Sequence, residues 1–308
     1  MLIFEDWDAA KSHHVPSGHP ERPARITAVQ TVLAEAFSDV PRRAAIQASY
    51  EQLSLVHHHS YLEQLYDAVP ETGLTGIDGD TFLSPASLSA AEKAAGAGCA
   101  AVDAIFQNET QSAFVAMRPP GHHAEPDRAM GFCFFSNAAI AARYAQKAYG
   151  ISHVAVLDFD VHHGNGTQAA FWQDPTCFYA STHEMPLFPG TGATDETGAG
   201  SIFNQPVPAG CTGSMMAQAW DQLLARLEAV APELVIISAG FDAHQDDPLA
   251  SCALQSSDFY EITAKICGLA DKVAQGRVLS LLEGGYDLPA LSSSVQHHLQ
   301  ALRGRDTP

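Results

Sequence analysis

The sequence predicts a large α/β domain, residues 1–308, with a mostly parallel multi-stranded sheet and helices on both faces. Three observations carry this. Short apolar runs, often β-branched, alternate with longer helical patterns. No linker, low-complexity tract or internal repeat divides the 308 residues. Each strand-like run also ends in polar, chemically capable residues, which is where open parallel sheets bind ligands.

Taken in order, residues 22–37 and 52–69 carry helical patterns that would pack around the sheet. Five runs read as buried strands: 113–117, 154–157, 177–180, 234–237 and 278–282. Helices are expected at 85–106, 137–149, 214–230, 257–273 and 288–302. The stretch 186–213, rich in Gly and Pro, reads as a loop.

Composition narrows the function. A net charge of -19, from 35 acidic and 16 basic residues, argues against a broad basic face for nucleic acid. The acidity is compatible with a cationic substrate, but plain solubility explains it as well, because net charge locates no site. No run of about 18 apolar residues exists, so no membrane span is expected. The first ten residues carry Glu5, Asp6 and Asp8, the wrong charge for a secretory signal, and a cytoplasmic location is the expectation. Six scattered cysteines without C-x-x-C spacing read as small buried apolar residues.

The strand ends concentrate the chemistry. The first strand runs into Arg118-Pro-Pro-Gly-His122-His123 and the second into Asp158-Phe-Asp160-Val-His162-His163. The third ends at Ser181-Thr182-His183, the fourth at Asp242, and the fifth at Glu283-Gly-Gly-Tyr286. Asp160 and His162 are two apart, so at a strand end they point to one side. Asp-x-His alone is equally compatible with a satisfied surface loop. With Asp242 from another strand end, it becomes three ligands and an open position, the pattern of catalytic zinc. Two oxygen donors also admit Fe(II), Mn(II) or Co(II). Asp158, two residues before Asp160, can sit behind the ligands and orient a histidine or hold a monovalent cation.

These residues resemble the histone deacetylase superfamily, which shares its fold with arginase. The resemblance runs from His19-Pro-Glu-Arg-Pro23 to the last strand end, through RPPGHHA (118–124), GFCFFSN (131–137), DFDVHHGNGTQ (158–168), SAGFDAH (238–244) and LEGGYD (282–287). It is strongest to class II enzymes and their bacterial relatives, the deacetylase-like and acetylpolyamine amidohydrolases. Asn165 is typical of that class, where class I usually has Asp. The resemblance implies zinc on Asp160, His162 and Asp242. It implies tandem active-site histidines at His122 and His123, with Asp158 and Asn165 as their partners, and a transition-state tyrosine at Tyr286. It also implies that the Gly131 carbonyl receives the substrate amide, that Phe132 and Phe188 form the tunnel walls, and that Arg25 lies near an internal acetate channel. Potassium would sit on oxygens of Asp158, Asp160, His162, Ser181 and Thr182, with a second potassium near Phe171, Asp174 and Cys177.

The chemistry expected is hydrolysis of an N-acetyl amide. His123 would act as general base and then acid. His122, paired with Asp158, would be cationic, and Tyr286 would donate to the developing oxyanion. Gly284 and Gly285 would let the backbone bring Tyr286 inward. The expected partner is an acetylated lysine peptide or protein, or an acetylated small amine, with no nucleic acid or membrane. Acetylpolyamine is the alternative substrate. Leu249 stands where the eukaryotic polyamine enzyme has a glutamate, which weakens that alternative. Asp78, Asp80 or Glu125 could still serve a distal ammonium, and Asp80-Thr81 could instead contact a peptide backbone. An arginase-type ureohydrolase and a catalytically silent binding module rank lower. Oligomeric state, native metal and acyl-chain preference are not readable from these motifs. His57-His58-His59 reads as structural or capping, His297 and His298 as solvated, and His244 with Asp246 as unneeded for a single-metal site.

Overall fold

Parallel pairing organises the molecule. The computed structural model describes residues 1–304. Its strands are β1 (Leu2–Glu5), β2 (Arg42–Ala44), β3 (Thr75–Gly76), β4 (Phe82–Leu83), β5 (Ser112–Ala116), β6 (Val154–Asp158), β7 (Cys177–Glu184), β8 (Ile202–Val207), β9 (Leu234–Ala239) and β10 (Val278–Leu282). Its helices are α1 (Trp7–Ser12), α2 (Pro23–Ala36), α3 (Tyr50–Leu53), α4 (His59–Asp67), α5 (Ser87–Phe106), α6 (Asn137–Tyr149), α7 (Asn165–Phe171), α8 (Gly213–Val230), α9 (Ser256–Val273) and α10 (Leu288–Arg303). Eight strands form one sheet in the order β2-β1-β5-β10-β9-β6-β7-β8, and every pairing in it is parallel. β3 and β4 form a small antiparallel ribbon apart from it.

The helices cover both faces. Consecutive strand residues point to opposite sides. On β10, Ser280 bonds His298 of α10, while Leu281 packs beneath Gly98 of α5. α10 and α5 therefore lie on opposite faces. α6 packs on α5, and α9 and α2 pack on α10. The central strands are buried along their whole length, consistent with their near-continuous Val, Leu and Ile content. Local signals set the helix ends: Pro23 opens α2, the Asp287 carboxylate caps α10 through the Ala290 N–H at 2.9 Å, and Gly150 closes α6 with φ 66°.

All five expected strands and the later helices are present. Three sequence expectations need correction. The single helix over 52–69 is two helices, α3 and α4. At the break the His58 N–H donates to the Pro126 carbonyl (2.9 Å), and His57 Nε2 accepts the Ser136 N–H (2.9 Å). The loop over 186–213 contains β8, whose Pro206 is tolerated because β8 is an edge strand. His298 is not solvated: it is fully buried between Thr263 Oγ1 (2.6 Å) and Ser280 Oγ (2.8 Å), and burial pushes its pKa down to about 3. His297 is half-buried on α10, and all six cysteines are buried free thiols.

An ion network ties the N-terminal segment to the sheet. Glu21, Arg25 and Arg118 are all fully buried. Arg118 donates to Glu21 through Nε and Nη2, each at 2.5 Å, and Arg25 Nη1 donates to Glu21 at 3.1 Å. Burial alone would raise the Glu21 carboxyl. Arg118 and the His13 hydrogen bond outweigh it and hold Glu21 well below the ordinary 4.5. Glu21→Ala should therefore destabilise the fold by about 3–5 kcal/mol, read from denaturant midpoints. Because the folded pKa is depressed, this contribution is fully present above the unfolded value. It is lost only as pH falls through the folded one. The difference from wild type should thus stay constant between about pH 6 and 8.

Candidate active site

The carboxyl ends of β5, β6, β9 and β10 meet at the middle of the sheet. Asp160 and His162 follow β6, Asp242 follows β9, and one donor atom from each lies within 4.8 Å of the others, all buried. His162 Nδ1 is 3.1 Å from both Asp160 Oδ1 and Asp242 Oδ2. Main-chain N–H groups take the other lone pairs. Gly284 donates to Asp160 Oδ2 (2.8 Å), His162 to Asp160 Oδ1 (2.9 Å) and Val161 to Asp242 Oδ1 (2.8 Å). Side chains are excluded from the two nearest backbone positions. A methyl group on Gly240 would overlap the Asp160 carboxylate, and one on Gly284 would overlap both carboxylates.

The charges of this cluster suit a divalent cation. Burial and the adjacent Asp160 push Asp242 up to about 7. Burial would lower His162, but its hydrogen bonds to Asp160 and Asp242 carry it up to about 10. Asp160 is driven the other way: His122 and His162 outweigh its burial and hold it in the charged form. Two oxygens and one nitrogen fit a divalent metal, and a bound cation would offset the repulsion between the carboxylates. His244 and Asp246 stand outside this group: His244 bonds Ser256 Oγ (3.2 Å) and the Asp246 side chain is exposed. Among the described residues no other such cluster occurs.

The tandem histidines differ in their partners. His122 Nδ1 is 3.0 Å from Asp158 Oδ2, which also accepts the Tyr179 hydroxyl at 3.0 Å. Burial opposes protonation of His122, but Asp160 and Asp158 together raise it well above the usual histidine value. His123 Nδ1 is 2.8 Å from Asn165 Oδ1. Burial, reinforced by His122 and His162, holds His123 well below the usual value. The two rings, with centroids 4.0 Å apart, are thus pushed in opposite directions, His122 towards the cation and His123 towards the neutral form. Glu283 sets their backbone: its Oε2 accepts the Gly121 N–H (2.6 Å) and the His122 N–H (3.2 Å).

Tyr286 is positioned from both sides. Arg25 donates to the carbonyls of Glu283 (2.5 Å) and Gly285 (2.6 Å), and its guanidinium lies 4.9 Å from the Tyr286 ring centre. Asp247 Oδ2 accepts the Tyr286 N–H (2.7 Å). Burial raises the tyrosine hydroxyl well above its ordinary pKa, so it remains a hydrogen-bond donor.

A pocket of about 220 Å³ opens onto these groups. Its lining includes Asp80, His123, Gly131, Phe132, His162, Phe188, Leu249 and Tyr286, so every residue expected at the substrate site is there. Gly131 and Phe132 both take left-handed backbone, with φ 55° and 69°, and a side chain on Gly131 would overlap His123. The turn aims Phe132 at Tyr286, with centroids 5.9 Å apart, and its N–H donates to Thr81 Oγ1 (3.0 Å). Opposite, Phe188 is edge-on to His123 at 5.1 Å and is 41% exposed, forming the outer rim. The Gly131 carbonyl accepts the Cys133 thiol at 3.3 Å.

The residues expected around potassium are more scattered. Asp158 on β6 pairs with Ser181 on β7, with Thr182 next along. The buried hydroxyls of Thr182 and Ser238 have no hydrogen-bond partner among the described residues. Phe171 ends α7 beneath the Arg143 guanidinium, and its carbonyl accepts the Asp174 N–H at 3.0 Å. Of the loop carboxylates suggested for a distal ammonium, Asp80 lines the pocket. Glu125 does not: it bonds Asn165 and lines a separate cleft of about 780 Å³. The sequence does not mark Asp247 or Tyr179: each acts through hydrogen bonds that form only once distant segments are packed, Asp247 to the Tyr286 N–H and Tyr179 to Asp158. Thr81, expected at a peptide backbone, instead accepts the Phe132 N–H.

Gly284→Ala should lower affinity for a divalent cation at least about tenfold, measured by chelator competition, while the circular dichroism of the fold is kept.

Comparison with known proteins agrees with this geometry. Residues 19–302 match the histone deacetylase domain. The chain is 38% identical to histone deacetylase 14, chloroplastic, of Arabidopsis thaliana over 97% of this chain and 76% of that protein. It is 37% identical to the histone deacetylase-like amidohydrolase of Pseudomonas aeruginosa, covering 93% and 78%. The crystal structure of the HDA15 HD domain superposes with a TM-score of 0.91 at 34% identity, over 98% of this chain and 88% of that one. This chain is a hydrolase of amide bonds, and it belongs to the histone deacetylase family.

Proposed function

We propose that the protein removes acetyl groups from N-acetyl-lysine side chains, or from similar linear amines, with zinc held by Asp160, His162 and Asp242. One observation carries the reading. The buried Asp160, His162 and Asp242 cluster reaches, through His162, one narrow pocket that His123 and Tyr286 also line between two phenylalanines, with the His122 ring 4.0 Å from that of His123.

A zinc ion there would polarise the amide carbonyl and acidify water; Fe(II) or Co(II) would suit the same ligands. The residues do the rest. Phe132 and Phe188 grip a methylene chain between apolar faces and exclude water. The Gly131 carbonyl, on the pocket wall, accepts the substrate amide N–H. Neutral His123 takes the proton from the attacking water and returns it to the leaving amine. Cationic His122, fixed by Asp158, stabilises the negative charge that develops, and the Tyr286 hydroxyl donates to the oxyanion. Asp158, Ser181 and Thr182 would hold a potassium ion behind the ligands, a reading supported by the unpartnered Thr182 and Ser238 hydroxyls. Phe171 with Asp174 and Cys177 would line a second potassium site.

A lysine-bearing peptide is favoured over a polyamine because Leu249 borders the pocket at the position where the polyamine enzyme has a glutamate. The polyamine reading draws on Asp80 at the rim, with Asp78 next to it in the same turn. Tyr286→Phe should keep stoichiometric metal and lose about 10²–10³ in kcat on an acetyl-lysine peptide. Turnover near wild type would remove the oxyanion role. In a side-by-side assay, kcat/KM for the acetyl-lysine peptide should exceed that for acetylputrescine and acetylspermidine at least about tenfold. The reverse order would reassign the substrate to polyamines.

A further inference from the structure

The Asn165 side chain lies between two partners. Its Oδ1 is 2.8 Å from His123 Nδ1, and its Nδ2 is 2.7 Å from Glu125 Oε1. The other neighbours of Nδ2 are longer, the His123 carbonyl at 3.4 Å and Met130 Sδ at 3.3 Å. Oxygen and nitrogen of an amide are distinguished by their partners. Here the partner decides, because an ionised carboxylate only accepts. Turning the amide over would press two acceptor oxygens together across the Glu125 contact. The NH₂ must face Glu125, so the oxygen must face His123. His123 must then donate from Nδ1, and in the neutral ring its Nε2 keeps the free lone pair.

We propose that Glu125 is a positioning residue that fixes the Asn165 amide and, through it, holds His123 as the Nδ1–H tautomer with Nε2 ready to accept a proton. The inference rests on the reading of His123 as the proton acceptor. Glu125 lines the larger cleft rather than the substrate pocket, so it acts through Asn165 and not on substrate. It is itself held in place. Arg128 Nη2 donates to Glu125 Oε2 (3.0 Å), and the Glu125 N–H donates to the Arg128 carbonyl (2.9 Å). The Pro126 carbonyl is tied to the His58 N–H, which roots the turn against α4. A one-way chain results: His123 donates to Asn165, Asn165 donates to Glu125, and Arg128 supplies the terminal charge.

Glu125→Gln keeps size and polarity but can donate as well as accept, so it no longer selects one amide orientation. In the zinc-loaded protein labelled with 15N-histidine, with His123 assigned by comparison with His123→Asn, the wild type should show an Nδ1–H ring. Glu125→Gln should show a mixture of tautomers. Its kcat should fall about 10- to 100-fold with KM within about twofold. Adding Asn165→Asp to Glu125→Gln restores an acceptor-only group between two donors, and should recover the Nδ1–H signature and most of the lost kcat. A Glu125→Gln protein that keeps a pure Nδ1–H ring overturns the proposal, whatever its turnover. A tautomer mixture with unchanged kcat upholds the positioning by Glu125, and removes His123 from the role of proton acceptor.

Discussion

Two carboxylates, Asp160 and Asp242, are buried side by side at the end of a parallel sheet, and the surrounding structure is arranged to permit it. Like charges this close strongly disfavour joint ionisation. Three main-chain N–H groups from the ends of β6 and β10 are directed at them, and Gly240 and Gly284 leave the room they occupy. The sheet itself supplies this. Parallel neighbours deliver their chain ends to one edge, so loops far apart in sequence meet with their amides pointing inward. The same negative charge then sets the histidines. His122, beside Asp158 and Asp160, is pushed towards the cation, while burial and the neighbouring His122 push His123 towards the neutral form.

A second buried charge cluster carries this order outward. Glu21 gathers Arg118 and Arg25, and Arg25 reaches two carbonyls of the Glu283–Tyr286 segment. The tyrosine is thus held by an arginine of α2, some 260 residues away in the chain. Fully buried guanidinium groups are costly to desolvate, and here each is surrounded by carboxylate and carbonyl acceptors. The arrangement fixes the backbone that carries Tyr286 into the pocket.

The sheet and the pocket lining were legible in the sequence because both leave local marks. Five buried strands announce themselves as short apolar runs, and the polar residues after them fall where parallel strands end. β1 and the edge strands β2 and β8 do not, since each is short, partly polar or interrupted by Pro206. The break between α3 and α4 was hidden because the partners of His57 and His58 lie about 70 residues on. His298 shows the reverse error: a polar residue on an amphipathic helix reads as exposed, yet Thr263 and Ser280 satisfy both ring nitrogens in the core. Metal-type spacing was visible as Asp-x-His. The anchors behind it, Asp247 and Tyr179, were not, because they matter only through neighbours that folding brings.

The position of β10 has a consequence for how the protein is made. It is the last strand among the described residues, yet it lies between β5 and β9 at the middle of the sheet. Until it leaves the ribosome, β5 and β9 have no common neighbour, and the amide of Gly284 is missing from the carboxylate pair. A nascent chain therefore cannot assemble the half-built site early, however much of its N-terminal part has condensed. Synthesis must pass Val278–Leu282, the residues of β10, before the two halves of the sheet are joined. Chains stalled or clipped before β10 would thus lack the Gly284 amide at the carboxylate pair and would also expose the apolar edges of β5 and β9, the form that quality-control proteases and chaperones recognise.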